Sequence, residues 1–258
     1  MFKIKLAVSS AFFAVLLAGT CFGQGYEIQV YGSETVEPKK TMVELHSNFT
    51  FQGSKGITNG VYPTHHILNE TIEATHGINE WSELGFYYFS SYVPSVGYRP
   101  VGVHIRPRFR VPESWKWPVG LSLSQEVGYI SRKFTEDPWG YELRPIIDKK
   151  VGRFYASFNP TLERSFKGEN SKKGFEFSPN FKIAGDITKK VTLGLEYYGN
   201  YGPVGSFNRL RDQSQQFIPS VDIDFGPNWE FNAGVGWGVT QATDHLIVKF
   251  IVGYRFGF

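Results

Sequence analysis

The chain of 258 residues has little cysteine, little imbalance of charge and few long apolar runs. Its one cysteine, Cys21, excludes an intrachain disulfide and a cysteine-built metal cluster. Beyond residue 23 no 18-residue apolar run occurs, which excludes a helical membrane span of the usual length. Lys and Arg number 27 against 24 Asp and Glu, a formal charge of +3, so the basic excess of a nucleic-acid-binding protein is missing. No second domain, low-complexity segment or long repeat is evident. Gly234-Val235-Gly236-Trp237-Gly238 superficially suggests a nucleotide loop. However, its glycines share one parity and no helix follows, whereas a phosphate cradle opens onto a helix N-terminus.

What the chain does have is aromatic residues, 17% of the total, and alternation. From Leu246 to Phe258 the even positions are Leu, Val, Phe, Val, Tyr, Phe and Phe. The odd positions carry Lys249, Arg255 and two glycines. Period two is that of a strand with one face in an apolar medium and the other near polar groups. A terminal strand of this kind, ending in Tyr254, Phe256 and Phe258, resembles the barrel-closing strand and assembly signal of bacterial outer-membrane β-barrels. That resemblance implies outer-membrane lipid and the barrel-assembly machinery as partners. The aromatic excess fits interfacial girdles.

The N-terminus reads as a secretory signal: Lys3 and Lys5, an apolar run from Leu6 to Leu17, then small residues at Cys21 and Gly23. Cleavage after Gly23 would remove the cysteine and two lysines, taking the charge from +3 to +1. The expected plan is 1–23 cleaved signal peptide, 24–40 periplasmic N-terminal lead-in and 41–258 transmembrane β-barrel. Tyr26 to Tyr31 alternates weakly, which leaves a partial plug as the other reading of the lead-in.

Alternating segments bounded by Gly, Pro, Asn and Lys predict twelve strands, at 41–51, 67–77, 82–92, 99–111, 118–130, 139–148, 152–164, 174–185, 191–201, 215–225, 229–239 and 245–258. The fold class is therefore all-β, an antiparallel transmembrane barrel with an even strand count. Short connections at 78–81, 112–117, 149–151, 186–190 and 226–228 alternate with longer or more polar ones. Short turns belong to the periplasm, so both termini are expected there.

Placing the apolar parity towards lipid assigns Val101, Val103, Ile105 and Phe109 outward, with Trp229, Phe231, Val235 and Trp237. The other parity lines the lumen. Its candidates are Glu44 and His46 on the first strand, His104, Arg106, Arg108 and Arg110 on the fourth, and then Glu126, Arg144, Lys249 and Arg255. Arg153, Glu196, Asp222, Asp224 and Glu230 share that parity. The stripe Arg106-Arg108-Arg110 is the candidate constriction for anionic or polar solutes, unless Glu126 neutralises its nearest arginine. Inward glycines 234, 236 and 238 clear space or seat a large neighbour. Prolines 107, 145, 160, 179 and 219 fall inside strands on the outward parity, where proline deletes a ladder donor. Local bulging or a lateral opening would explain them.

Val43-Glu44-Leu45-His46-Ser47-Asn48, Arg144-Pro145-Ile146-Ile147, Asn159-Pro160 and Trp229 to Gly238 resemble outer-membrane proteins of the phenol-degradation MetA-pathway type, which are transporter-like barrels. The resemblance implies passive passage of small, aromatic or hydrophobic solutes, and carries no site residues. The alternative is a barrel enzyme acting on lipid or lipopolysaccharide. His46-Ser47 cannot serve it, because neighbouring strand residues face opposite sides. His65-His66 reads as solvated loop. The expectation is a non-enzymatic monomer with a small-molecule solute and no cofactor, metal or nucleic acid.

Overall fold

In the computed structural model, residues 25–94, 96–168 and 170–257 are described. The expected signal peptide, 1–23, and Phe258 lie outside them. Twelve strands follow in order: β1 (Lys40–Gln52), β2 (Leu68–Asn79), β3 (Ser82–Val93), β4 (Gly97–Arg110), β5 (Gly120–Ile130), β6 (Trp139–Val151), β7 (Phe154–Lys167), β8 (Glu176–Asp186), β9 (Val191–Asn200), β10 (Ser214–Ile223), β11 (Trp229–Gly238) and β12 (Leu246–Gly257). Each pairs antiparallel with its sequence neighbours, and β1 pairs with β12 from Lys40↔Gly257 to Gln52↔Leu246, closing the barrel. Closure leaves no sheet edge, which is what lets strands cross a lipid phase. One end of the barrel carries the short turns, the start of β1 and the end of β12. The other end carries the longer loops.

The two faces divide as the alternation predicts. Leu45, Ile72, Phe86, Ile105, Leu123, Phe158, Ile183 and Phe250 are exposed on the outside, a belt that a bilayer would cover. Aromatic contacts reinforce it: Trp229 packs on Tyr254 at 4.8 Å, and Tyr197 lies between Phe181 and Phe217 at 5.1 and 5.0 Å. The inner face holds nearly all the buried charged residues.

Three expectations change at the level of single residues. Val101 is not outward; it is buried inside the barrel. The β3–β4 register slips between Phe89↔Gly102 and Ser90↔Pro100, and this bulge turns Val101 inward beside Tyr87 and Phe89. Arg153 and Asp224 sit in turns and are exposed, because β7 starts at Phe154 and β10 stops at Ile223. The prolines do not coincide with register shifts, which occur at Thr50/Gln52, Gly77/Asn79, Phe89/Ser90 and Trp139/Gly140.

The inward glycines of β11 seat large neighbours. A Cβ on Gly234 would stand 2.6 Å from Ile218 Cγ2, and one on Gly236 would stand 2.7 Å from Ile247 Cγ1. Ile218 and Ile247 thereby form an apolar patch on an otherwise polar inner wall.

Candidate functional site

The lumen holds part of the chain itself. Residues 25–39 form no strand, yet Tyr26, Glu27, Ile28, Val30, Tyr31, Ser33 and Val36 are buried. Of the two readings of this segment, its contacts are those of a plug. Tyr26 packs with Tyr87, Phe89, Val101 and Ile130 on the β3–β5 side. Ile28 and Val30 pack with Tyr198, Ile218 and Ile247 on the opposite wall. The weak alternation of Tyr26 to Tyr31 is thus read against the inner wall. Each apolar side chain so buried contributes roughly 1.5–3 kcal/mol.

The segment's backbone groups have no ladder partner, and wall side chains satisfy them instead. The Tyr26 carbonyl accepts from Asn48 Nδ2 at 3.1 Å and Thr71 Oγ1 at 2.8 Å. Lys249 Nζ donates to the Ile28 carbonyl at 3.0 Å. Tyr31 N donates to Asn159 Oδ1 at 2.9 Å, and its carbonyl accepts from Ser157 Oγ at 2.6 Å. Arg108 reaches the carbonyls of Gly32 and Glu34, and Val36 N donates to Glu83 Oε2 at 2.7 Å.

Tyr31 is the centre of this grip. The guanidinium carbons of Arg144, Arg106 and Arg108 lie 4.8, 5.0 and 5.6 Å from its ring centroid. Its hydroxyl donates to Glu27 Oε1. Three cations around one aromatic ring would repel one another if unpaired, but carboxylates lie beside each. Arg106 bonds Glu73 and lies 3.5 Å from Glu83. Arg108 Nε is 2.8 Å from Glu83, and Arg144 Nε is 2.7 Å from Glu142. On the far wall Glu196 bonds Lys249 and lies 3.3 Å from Lys182, which also meets Asp222 at 2.8 Å.

The plug divides the lumen into two vestibules. The turn-end cavity is about 570 Å³ and is lined by charged residues including Glu44, Glu73, Arg106, Arg110, Glu230 and Arg255. The loop-end cavity is about 220 Å³ and is more apolar, with Tyr26, Ile28, Tyr62, Ile67, Phe134 and Ile247 among its walls. Loop 53–67 folds over it: Thr64 Oγ1 donates to Asp244 at 2.6 Å, and Tyr62 N donates to the Lys133 carbonyl at 2.8 Å. Burial raises the Asp244 carboxyl above its ordinary value.

Each residue singled out in the sequence has a definite place. Glu44, His46, His104, Arg106, Arg108, Glu126, Arg144 and Lys249 are buried within the barrel. Arg106 and Arg108 hold the plug, and they share it with Arg144 from β6. Arg110 is separate, pairing with Glu113 at 2.9 Å in the β4–β5 connection. Glu126 bonds His104 Nδ1 and no arginine of the stripe. Arg255 meets Glu37 at 3.3 Å at the turn end. Tyr254 faces outward, Phe256 pairs with Thr41, and Phe258 lies outside the described residues. Sequence reasoning missed Glu27, Tyr31, Glu73 and Glu83. The parity of β2 and β3 could have found the last two: Glu73 lies between outward Ile72 and Ala74, and Glu83 precedes outward Leu84.

No family model and no curated protein matches the chain. Solved structures do. NanC porin is similar over 84% of this chain and 100% of its own, with a TM-score of 0.56 at 6% identity. KdgM porin is similar over 84% and 99%, with a TM-score of 0.53 at 10% identity. KdgM porin in complex with disordered oligogalacturonate gives 0.50 at 11% identity, with the same coverage of 84% and 99%. The fold is that of bacterial outer-membrane porins. At such identity the likeness is one of architecture, and the resemblance to the MetA-pathway type is carried by no matching family model.

Proposed function

We propose that this protein is a non-enzymatic outer-membrane channel for passive passage of small solutes, gated by its own N-terminal segment. The observation that carries the reading is the threaded lumen: two water-accessible vestibules separated by one strap of chain around Tyr31. The outward apolar belt and the porin-like fold support a place in the outer membrane. The turn end, with both strand termini, would face the periplasm, as in single-chain barrels with short periplasmic turns. The apolar and aromatic wall of the loop-end vestibule suits an aromatic or hydrophobic compound. The charged vestibule beyond the plug would admit its polar end.

Planar-bilayer conductance of the refolded mature chain tests this. Tyr31→Ala removes the ring from the three guanidiniums and should raise conductance above wild type. Gly120, whose Cβ would stand 2.2 Å from Ser33 Oγ, offers a tether. Ser33→Cys with Gly120→Cys should conduct less when oxidised than when reduced. A folded Tyr31→Ala barrel that passes no current would overturn the channel reading.

A further inference from the structure

On the turn side of Tyr31, β1 and β2 place Glu44 directly opposite Glu73. His46 follows Glu44 by two residues, on the same inner face. The row continues across the barrel closure, since Glu44 pairs with Gly253 and Gly253 with Glu230. A Cβ on Gly253 would stand 2.8 Å from Glu44 Cγ and 3.3 Å from Glu230 Cβ. Glycine there gives the carboxylates room to share one level of the wall. Like charges directly opposite in a sheet are destabilising, so the arrangement calls for a countercharge.

Arg106 supplies part of it, but in a directed way. Arg106 Nη2 and Thr75 Oγ1, the latter at 2.7 Å, both donate to Glu73 Oε1. The other oxygen, Oε2, is turned to His46 Nε2 at 3.5 Å. Glu44 Oε1 and His46 Nδ1 have no hydrogen-bond partner among the described residues, and Glu73 Oε2 and His46 Nε2 have only each other, at 3.5 Å. His46 is fully buried and Glu44 is 6% exposed, so solvent approaches the cluster only through the turn-end vestibule that Glu44 and Glu73 line. Buried acceptors left this way are costly, and an ion is one of the few things that satisfies several at once. One ligand atom from each of Glu44, His46 and Glu73 lies within 4.8 Å of the others.

We propose that Glu44, His46 and Glu73 bind a divalent transition-metal ion, of which Zn²⁺ suits their one-nitrogen, two-oxygen donor set. Ca²⁺ and Mg²⁺ take oxygen ligands, whereas imidazole favours the transition metals. Three protein ligands leave a tetrahedral ion one position for water or a solute atom. Arg106 and Thr75, bonded to the non-ligating oxygen of Glu73, fix the orientation of that carboxylate, as outer partners do in metal sites. Glu44 and Glu73 line the 570 Å³ turn-end cavity, which gives the ion its way in. The site departs from the sequence expectation of no metal, because Glu73 becomes a neighbour of Glu44 and His46 only through register. It stands independently of whether the barrel conducts.

The test is titration of the refolded, metal-stripped full-length barrel with Zn²⁺ alone, followed calorimetrically. Wild type, Glu44→Gln, His46→Gln and the loop control His65→Gln with His66→Gln are compared, each checked for folding by heat-modifiable gel mobility. The expected result is one Zn²⁺ per barrel, at least tenfold weaker in Glu44→Gln and His46→Gln and unchanged in the loop control. Glu44→Gln keeps size and shape, so it carries the test should His46→Gln not fold. Absence of stoichiometric binding, binding that survives both lumen substitutions, or binding lost in the loop control would each overturn the site.

Discussion

Glu83 shows how a single inner-face residue ties the wall to the plug. Its carboxylate stands 2.8 Å from Arg108 Nε and 3.5 Å from Arg106 Nη2, and its other oxygen accepts the Val36 amide at 2.7 Å. The side chain is fully buried, so these partners replace water entirely. Removing one member of a buried ion pair leaves the remaining charge uncompensated, at a cost of roughly 3–5 kcal/mol. Glu83→Gln should therefore lower stability by about 3 kcal/mol, read from urea unfolding of the refolded barrel. An unchanged midpoint would mean that the carbonyls of Gly32 and Glu34 suffice for Arg108. This residue was within reach of the sequence. Leu84, Phe86 and Tyr88 mark the outward parity of β3, which turns Glu83 inward. Tyr87 and Phe89 share its inner row and disguise it as apolar. Tyr31 was less legible, because nothing local tells an aromatic in a lead-in that three arginines from two strands will surround it.

Strands were far more legible than their partners. All twelve lie within a few residues of the spans that alternation predicts, because each strand has oil on one side and polar groups on the other. What alternation does not encode is which residues meet across strands, and the prolines illustrate this. The β6–β7 ladder runs to Leu143↔Leu162 and resumes at Ile147↔Phe158, in a register that sets Pro145 opposite Pro160. Pro160 in turn pairs with Pro179 on β8. Three prolines thus form one row across three strands, and the ladder between β6 and β7 is interrupted with no residue inserted. Bulging does not account for that. Two absent donors facing each other do, and they leave carbonyls unpaired in the wall. This row is where the barrel would part most easily. Pro145→Val, at a half-buried position, restores one donor. It should slow amide exchange of Arg144, Ile146, Asn159 and Thr161 without altering β1–β12. Equal exchange in both proteins would show that the seam is closed by other means.

At the scale of the whole molecule, the barrel and its plug are held by different forces. The wall is a closed ring of strand pairs, its ladder interrupted at the proline row, and its pairing runs from strand to strand, so closure does not need residues 25–39. The plug is held by side chains: two apolar patches, the three arginines around Tyr31, and Lys249 on the Ile28 carbonyl. Those side chains are the ones that would otherwise face an open lumen, and once the plug leaves, water can reach and solvate them. The wall should therefore outlast its insert. A chain lacking residues 25–38 should still refold to a heat-modifiable barrel. It should melt below wild type, because Arg108 and Lys249 lose carbonyl partners and the Ile218–Ile247 patch is exposed to water. The two vestibules would then join, and conductance should exceed that of Tyr31→Ala, which leaves the strap in place. If the shortened chain fails to close, the segment is a template on which the strands assemble. In that case the inner-wall charges cannot be buried before the plug is there to order them.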